Sequence, residues 1–371
     1  MLNEIITQSL LFLLISAALG FLLVKPLILL LRKFDITRRS EFDDALKFNQ
    51  KHEKIGTPIM GGLLIIVVVA VITSIFNWDR RFTWVPIGVM VLAATLGGLD
   101  DILNIYGHFR RIRPIDLIKR LSKVHKHGYM RLWYKIQLPL SRIKQFFNAL
   151  GSRPGRGIQV HEKLLTQLVA GAITAWWIFF KLGPQWQAIW VPFDGEPNIG
   201  WLLLPLVILI VMITANAVNV ADGLDGLAGG ALITAFGGLL VIAWLEGNIF
   251  FAILNATVIG ALLPYTYFNI KPAKFQMGDV GSLGLGALLA VMTVAQNRIL
   301  ILPFLGFIFF IELGSVVIQL FSRYVLGKKV FKMTPLHHHF ELKGWPEERI
   351  VQRFWLLNSI AVLVGLWLSM H

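Results

Sequence analysis

Residues 214–230, TANAVNVADGLDGLAGG, follow an apolar segment and end in a glycine-rich turn. Four polar side chains recur at every third position of this stretch: Asn216, Asn219, Asp222 and Asp225. At that spacing the side chains fall close together on one face of a helix end, and the glycines from Gly223 onward let the backbone turn and approach a ligand closely. The stretch therefore indicates a site for a polar ligand or cation at a membrane edge, with a plain polar turn between two spans as the alternative.

The composition predicts the fold class. The chain of 371 residues is 56% hydrophobic and 15% charged, with a mean hydropathy of +0.68. Soluble domains are not this apolar, and segments of about 20 apolar residues can cross a bilayer as helices. We therefore predict an all-α integral membrane protein with a single polytopic domain over residues 1–371. About ten spans are expected, at roughly residues 6–31, 58–76, 83–103, 164–181, 201–219, 228–246, 249–268, 280–297, 299–322 and 353–370.

The net charge of +14 is interpreted as topology before anything else. Of 35 Lys and Arg, 30 fall in the loops on one side of the predicted spans. Basic loops stay in the cytoplasm, so both termini are expected to be periplasmic and all the motifs discussed here cytoplasmic. The exceptions are Lys25 within the first span and four residues in the opposite loops: Arg80, Arg81, Lys181 and Arg298. The chain has no cysteine, which excludes disulfide and thiolate chemistry.

Two more acidic motifs lie at the same membrane level. GGLDD ends the third segment with Asp100 and Asp101, where carboxylates are costly and oppose the helix dipole. MGDVGSLGLG places Asp279 at the start of the eighth segment. Taken separately, the first pair could be solvated interfacial acids and Asp279 a favourable helix cap. Three acidic motifs at one edge favour a shared site.

Basic residues and histidines flank the same edge. Lys54 and Thr57 in HEKIGTPIMGG, and Lys163 at the mouth of the fourth segment, are candidates to contact a phosphate; a plain helix-start turn and positive-inside topology are the alternatives. The run His337, His338 and His339 cannot comfortably ligate one ion, so a phosphate or sugar-diphosphate contact is favoured over zinc.

Together these groups predict phosphoryl transfer with a lipid substrate. Carboxylates suit Mg²⁺, which binds through one or two acids together with substrate phosphates. Phosphoryl transfer needs mainly positioning and neutralisation of charge. Because the site lies at the edge of the bilayer, one substrate should be a lipid.

A basic insertion separates the third and fourth spans. Asn104–Lys163 carries 14 basic residues against Asp116 and Glu162, which accounts for +12 of the net charge. Amphipathic helices on an anionic leaflet are predicted, with a protein-partner surface as the second choice and nucleic acid a distant third. Two apolar stripes support this: Leu117, Ile118, Leu121 and Val124, and then Ile143, Phe146, Phe147 and Leu150.

The order of the motifs resembles a known family. GTPIMGG, GGLDD, NAVNVADGLDGLAGG, MGDVGSLGLG and PLHHHFELKGWPEERIVQRFW are similar to those of bacterial phospho-N-acetylmuramoyl-pentapeptide transferases, in the polyprenyl-phosphate hexose-1-phosphate transferase superfamily. The resemblance implies a multi-pass enzyme of the bacterial inner (plasma) membrane that acts in peptidoglycan synthesis. It implies Mg²⁺-dependent transfer of phospho-N-acetylmuramoyl-pentapeptide from its UDP carrier to undecaprenyl phosphate, which gives lipid I and UMP. A homodimer is compatible with it.

Residue roles also follow from the resemblance. It implies Asp279 as metal ligand with Asp222 beside it, and Asp100 acting on the lipid phosphate with Asp101 adjacent. Substrate-binding roles are implied for Lys54, Thr57, Lys163, Asn216, Asn219, Asp222, Asp225, His337, His338 and His339.

Two departures from the family pattern concern nucleotide binding. Ile59 stands where the family commonly has Thr, which removes a hydroxyl contact. Gln276 stands where it commonly has Phe, so the neighbouring Phe275 is the substitute stacking surface for uracil.

Two rival functions remain open from the sequence. A sister transferase that makes polyprenyl-diphospho-N-acetylglucosamine shares the acidic motifs. A lipid-linked substrate transporter would also carry intramembrane polar residues such as Lys25 and Glu312, but it predicts acids near the bilayer midplane rather than at span ends.

Overall fold

The structure is a computed structural model that describes residues 2–38, 54–107, 115–149, 158 and 160–371. These residues form helices and isolated β-bridges, and no strand longer than a bridge occurs among them. The α-helices are α1 (Leu2–Lys33), α2 (Gly62–Phe76), α3 (Trp84–Tyr106), α4 (Ile115–Val124), α5 (Gly128–Ala149), α6 (Val160–Trp177), α7 (Leu203–Ala221), α8 (Leu227–Leu245), α9 (Ile249–Asn269), α10 (Gly278–Ala295), α11 (Leu302–Leu305), α12 (Phe307–Val325), α13 (Leu336–Glu341) and α14 (Glu347–Ser369).

The prediction of an all-α membrane protein is confirmed. Within the described ranges, nine helices are long and apolar enough to cross a membrane, and the shorter apolar helix α2 is a tenth. All ten predicted segments coincide with one of these helices. The helix α6 continues as a π-helix over Ile178–Leu182, which completes the fourth span.

Two boundaries differ from the prediction. The second segment becomes helical only at Gly62, because the preceding residues form a turn in which Gly61 N–H donates to Gln276 O at 2.6 Å. The ninth segment is divided into α11 and α12 at Gly306, which caps both helices. Both differences arise from local turns inside apolar stretches, where hydropathy carries no boundary signal.

The helix α10 forms the centre of the bundle. All of its residues from Val280 to Ala295 are buried, although it carries four glycines and several polar residues. Inside a bilayer no hydrophobic driving force brings helices together, so their contacts are enriched in small residues that let the backbones approach closely. A Cβ on Gly97 of α3 would lie 2.1 Å from the carbonyl oxygen of Asp279, so this glycine allows the end of α3 to touch the start of α10.

Both chain termini lie at the end of the bundle opposite the acidic motifs. Trp244 Nε1, at the far end of α8, donates to Ser9 Oγ at 2.9 Å. Phe193 N–H donates to the carbonyl of His371 at 3.1 Å. The assignment of that end to the periplasm remains a prediction from the loop charges.

The basic insertion contains a helical hairpin, α4 and α5. Ile118 is buried, whereas Leu117 and Val124 of the same predicted stripe are exposed. The second predicted stripe begins at Ile143, and its side chains lie outside the described part of the chain.

Candidate active site

Asp100 and Lys163 meet where α3 ends and α6 begins. Lys163 Nζ lies 2.5 Å from Asp100 Oδ2, and Asp100 Oδ1 accepts a short hydrogen bond from the backbone N–H of Ile158. The Asp100 side chain is buried while that of Lys163 is 25% exposed. The costly carboxylate near the end of α3 is therefore stabilised by a cation that remains partly exposed.

Asp279 binds the same ammonium group. Its Oδ2 lies 2.5 Å from Lys163 Nζ, and its Oδ1 accepts a hydrogen bond of 2.8 Å from Asn219 Nδ2. The Asn219 amide also contacts Ser282 Oγ at 2.9 Å, which fixes its orientation. Three predicted site residues, Asp100, Asp279 and Asn219, thus converge around Lys163 from three different helices.

Asp101 faces away from this cation. Its Oδ1 accepts from the backbone N–H of Asp279 and its Oδ2 from that of Val280, both at 3.1 Å. The first N–H groups of a helix have no intrahelical partner and carry partial positive charge. Asp101 therefore caps α10 from a neighbouring helix, and this interaction offsets its unfavourable position at the C-terminus of α3. Asp101, predicted beside Asp100, thus contacts the backbone of Asp279 rather than Lys163.

Asp222 follows the last residue of α7. No side-chain hydrogen bond or ion pair of Asp222 occurs among the described residues. Burial raises the pKa of the Asp222 carboxyl well above its usual value, the negative charge of Asp279 raises it further, and the guanidinium of Arg38 opposes both effects. Asp222 therefore lies near a second carboxylate and has no direct ion pair with Arg38 or with another cation of the described residues, which suits it to receive a metal ion.

Lys54 and Asp225 form a second charged cluster with a residue that the sequence analysis missed. Lys54 Nζ lies 2.6 Å from Asp225 Oδ1 and 2.6 Å from Glu347 Oε1, and all three side chains are less than 10% exposed. Glu347 Oε1 also accepts from the backbone N–H of Asp225 at 2.8 Å. Lys54 was expected to contact a phosphate. In the structure its ammonium group is buried in an ion cluster with Asp225, in the turn after α7, and Glu347.

Asn216 is not turned towards the site. Its amide and that of Gln167 form a reciprocal pair, with Asn216 Nδ2 donating to Gln167 Oε1 at 2.6 Å and Gln167 Nε2 donating to Asn216 Oδ1 at 3.2 Å. This pair joins α7 to α6. Asn216 therefore helps to place Lys163, and the expectation that it binds substrate directly has no support in this geometry.

The histidines occupy three different environments. His337 is buried, with its Nδ1 3.2 Å from Glu312 Oε2, and a Cβ on Gly223 would lie 2.3 Å from His337 Nε2. His338 Nδ1 lies 2.7 Å from Glu341 Oε2, and His339 Nδ1 accepts from the backbone N–H of Lys332. The His337 ring therefore packs against Gly223 in the turn after α7.

Phe275 and Gln276, which were expected to bear on nucleotide binding, lie in different environments. Phe275 is fully buried and packs edge-on against Tyr265, so it cannot offer a face to uracil, and this expectation was wrong. Gln276 Oε1 accepts from Arg38 Nη1 at 3.2 Å. The Thr57 backbone carbonyl accepts from Arg38 N–H at 2.9 Å, which keeps Thr57 next to the same arginine.

Comparison with known proteins identifies the family. The profile of glycosyl transferase family 4 matches residues 155–297. The phospho-N-acetylmuramoyl-pentapeptide-transferase of Chloroflexus aurantiacus is 36% identical over 327 residues, which cover 85% of this chain and 78% of that protein. The same-named proteins of Chloroflexus aggregans and Levilactobacillus brevis are each 35% identical and cover 85% of this chain. The chain belongs to the phospho-N-acetylmuramoyl-pentapeptide-transferase family. The resemblance predicted from the motifs is confirmed, and the protein is a multi-pass membrane transferase.

The donor set of this transferase is compatible with a divalent metal. Among the described residues, no group of three or more His, Asp or Glu is arranged to hold one. Mg²⁺, however, is commonly bound by one or two carboxylates and completed by substrate phosphates and water. Asp222 makes no ion pair within the described part of the chain, and one oxygen each of Asp279 and Asp100 contacts the ammonium group of Lys163. The residues therefore fit a metal that enters with a diphosphate.

Sequence reasoning about the transferase missed Glu347 and the contact of Ile158. Glu347 lies in the quoted GWPEER motif, but an acid in the first turn of a helix is ordinarily only a favourable charge. Its partner Lys54 is 293 positions away, so no local pattern reveals the pair. Ile158 contacts Asp100 through its backbone N–H alone, so the identity of the residue at this position does not reveal the contact.

Proposed function

We propose that the protein transfers phospho-N-acetylmuramoyl-pentapeptide from UDP to undecaprenyl phosphate, with Mg²⁺, and forms lipid I and UMP. The observation that carries this proposal is the meeting of Asp100 and Asp279 on one lysine, Lys163, at 2.5 Å each. Acids and a cation gathered at the end of membrane spans suit a reaction between a sugar nucleotide and a lipid phosphate. The names of the relatives support the same reaction.

The reaction exchanges one phosphate linkage for another. An oxygen of undecaprenyl phosphate attacks the phosphorus that bears the muramoyl sugar. The bond from that phosphorus to the bridging oxygen breaks, and the oxygen leaves with UMP. The lipid phosphate is already an anionic nucleophile, so we favour this direct attack over a first attack by an aspartate.

The residues around Lys163 take distinct roles in this proposal. Asp279 and Asp222 would hold Mg²⁺, which neutralises diphosphate charge when bound. Asp100 faces the lipid phosphate and accepts its proton where the monoanion binds. Lys163, now bridging two carboxylates, turns its exposed ammonium to the phosphates, while Asn219 keeps Asp279 in place.

The Lys54 cluster is assigned to the nucleoside side. Asp225 Oδ2 accepts from the backbone N–H of Ala273 at 3.3 Å, and Lys271 Nζ lies 3.6 Å from Glu347 Oε2. These contacts join the turn after α7 to the loop that leads into α10. A nucleoside seated over this turn would be oriented by Asp225, with Lys54 and Glu347 beneath it. His337 stabilises the same turn, and His338 and His339 lie towards the sugar.

The substrate is tested by measuring UMP release from two nucleotides. Purified protein in detergent, with undecaprenyl phosphate and Mg²⁺, should release UMP from UDP-N-acetylmuramoyl-pentapeptide and not from UDP-N-acetylglucosamine. Preference for UDP-N-acetylglucosamine would assign the protein to the sister transferases instead. Absence of UMP release from both nucleotides, in protein that binds them, would favour a transporter.

The order of events is tested by leaving out the lipid. Direct attack predicts that labelled UMP exchanges into the nucleotide substrate only when the lipid-linked product is supplied. Exchange by delipidated protein without any lipid would require a phosphorylated enzyme and would overturn direct attack. The same exchange, in either form, excludes simple transport.

A further inference from the structure

The helix α5 exposes an apolar face that the described part of the chain does not cover. Tyr129, Leu132, Trp133 and Ile136 recur with the spacing of one helix face and are 71%, 61%, 53% and 53% exposed. Isolated exposed apolar residues are common on protein surfaces, but four in register on one helix indicate an interaction surface.

The opposite face of α5 is the one that packs inside the hairpin. Tyr134 is buried and its ring lies 5.7 Å from that of His125, at the turn that joins α4 to α5. Tyr134 lies two residues from both Leu132 and Ile136, about 160° around the helix. The hairpin therefore uses one face for its own packing and presents the other outward. On α4 the same division holds, since Ile118 is buried while Leu117 and Val124 are exposed.

The charge of the hairpin restricts what can cover this face. Residues 115–149 contain eight Lys and Arg and one acid, Asp116. A basic protein surface would be repelled, and so would a second copy of the same basic hairpin, while a neutral protein surface would leave the cations without a counter-charge. An anionic bilayer fits both the basic charge of the hairpin and the exposed apolar face of α5. Its headgroups attract the cations, and its acyl boundary accepts the aromatic and aliphatic side chains.

The position of the hairpin in the chain places a membrane within reach. It connects α3 to α6, and both of these helices span the bilayer. The ends of α3 and α6 next to the hairpin carry Asp100 and Lys163. The same end of the bundle therefore holds the candidate active site and the hairpin.

We propose that the hairpin lies on the anionic leaflet of the membrane that its own protein spans, with Tyr129, Leu132, Trp133 and Ile136 inserted at the acyl boundary. The stripe, rather than the basic charge alone, is the anchor, because apolar insertion fixes depth and orientation whereas charge gives only attraction. The proposal is independent of the substrate of the transferase.

The absence of cysteine from the chain gives a direct test. Single variants Leu132→Cys, Trp133→Cys and Lys126→Cys of the full-length protein would carry a nitroxide label in nanodiscs, with position 126 as the exposed polar control. In nanodiscs with anionic phosphatidylglycerol, labels at 132 and 133 should be relaxed more by oxygen than by a water-soluble nickel chelate. The label at 126 should show the reverse.

Charge variants separate membrane docking from a structural role. Lys119→Gln with Lys123→Gln should make the stripe labels several-fold more accessible to nickel, and so should replacement of the anionic lipid or high salt, because exposed charges are screened. The matched pair Lys328→Gln with Lys329→Gln, two exposed lysines in another loop, should have no such effect.

Two results would overturn the proposal. If the labels at 132 and 133 are as accessible to nickel as the label at 126 in anionic nanodiscs, the stripe lies in water. If they are shielded from both reagents, a protein surface covers the stripe and the membrane does not. Neither result would affect UMP release, so failure here is distinct from failure of the proposed reaction.

Discussion

Lys163 Nζ lies 2.5 Å from Asp279 Oδ2, although the two residues are 116 positions apart in the chain. The same nitrogen lies 2.5 Å from Asp100 Oδ2. Carboxylates at membrane depth are retained only where a partner or a function compensates their cost. One cation shared by two such acids marks the point where the diphosphate and the lipid phosphate are expected to meet.

Removing this cation should abolish turnover. Lys163→Met leaves Asp100 and Asp279 facing each other without neutralisation and removes a positive group from the phosphates. We expect UMP release to fall by at least about 100-fold. Lys181→Met, at the other end of the same span, is the matched control and should remain within a factor of a few of wild type. Comparable losses in both variants would show that the effect is not local to the site.

Asp101 and Asp100 should separate into a stability role and a catalytic role. Asp101→Asn keeps one acceptor but loses the charge and one of two hydrogen bonds to the start of α10. A loss of about 1–2 kcal/mol in the free energy of unfolding is expected. Asp100→Asn should instead lower the turnover number strongly with a smaller loss of stability. Thermal unfolding in detergent, measured beside UMP release, tests this, and an interchange of the two effects would contradict it.

Glu347 should act on binding of the nucleotide. Glu347→Gln removes the charge that holds Lys54 and the backbone of Asp225, which weakens a charged hydrogen bond and should raise the KM for the UDP substrate roughly tenfold. The turnover number should change less. Glu348→Gln is the matched control, since the neighbouring Glu348 side chain is 51% exposed and pairs with Lys271. A fall confined to the turnover number would place Glu347 in the chemical step instead.

The far end of the bundle should make stability depend on pH. Burial raises the pKa of Glu246 from about 4.5 to about 7, an effect that Arg298 at 3.1 Å partly offsets. Between these two pKa values the folded state binds more protons than the unfolded state, so the free energy of unfolding falls as pH rises through that window. The thermal midpoint should therefore decrease from pH 4.5 to 7.5 in wild type.

Substitution of Glu246 isolates this effect. Glu246→Gln should flatten the decrease between pH 4.5 and 7.5, whereas Glu4→Gln, an exposed acid near the N-terminus, should leave it intact. A slope that persists in Glu246→Gln would assign the pH dependence to other groups.

The spans and the convergence of the acids could be predicted from sequence because both follow from one-dimensional patterns. Apolar length gives a span, and Asp100 and Asp279 stand at the ends of spans where charge is costly. The triplet spacing after Asn216 predicts Asn219 and Asp222 at the site, and Asn219 donates to Asp279 in the structure. The amide of Asn216 instead pairs with Gln167 on a neighbouring helix, a contact that the spacing does not predict.

The remaining site features depend on contacts between distant residues. Asp101 is a cap only because α10 begins beside it, and Lys54 is buried only because Glu347 comes close from 293 positions away. Phe275 was expected to face a ligand, yet its ring fills the core next to Tyr265. In each case the side chain had two physically reasonable environments, and packing decided between them.

The most direct test of the central claim is Mg²⁺-dependent exchange of labelled UMP into UDP-N-acetylmuramoyl-pentapeptide, with lipid-linked product present, by wild type and Asp279→Asn. We predict that wild type exchanges UMP and that Asp279→Asn, although folded and able to bind nucleotide, loses exchange by at least about 100-fold. An unchanged exchange rate in Asp279→Asn would contradict the assignment of Asp279 to the metal and with it the account of the site.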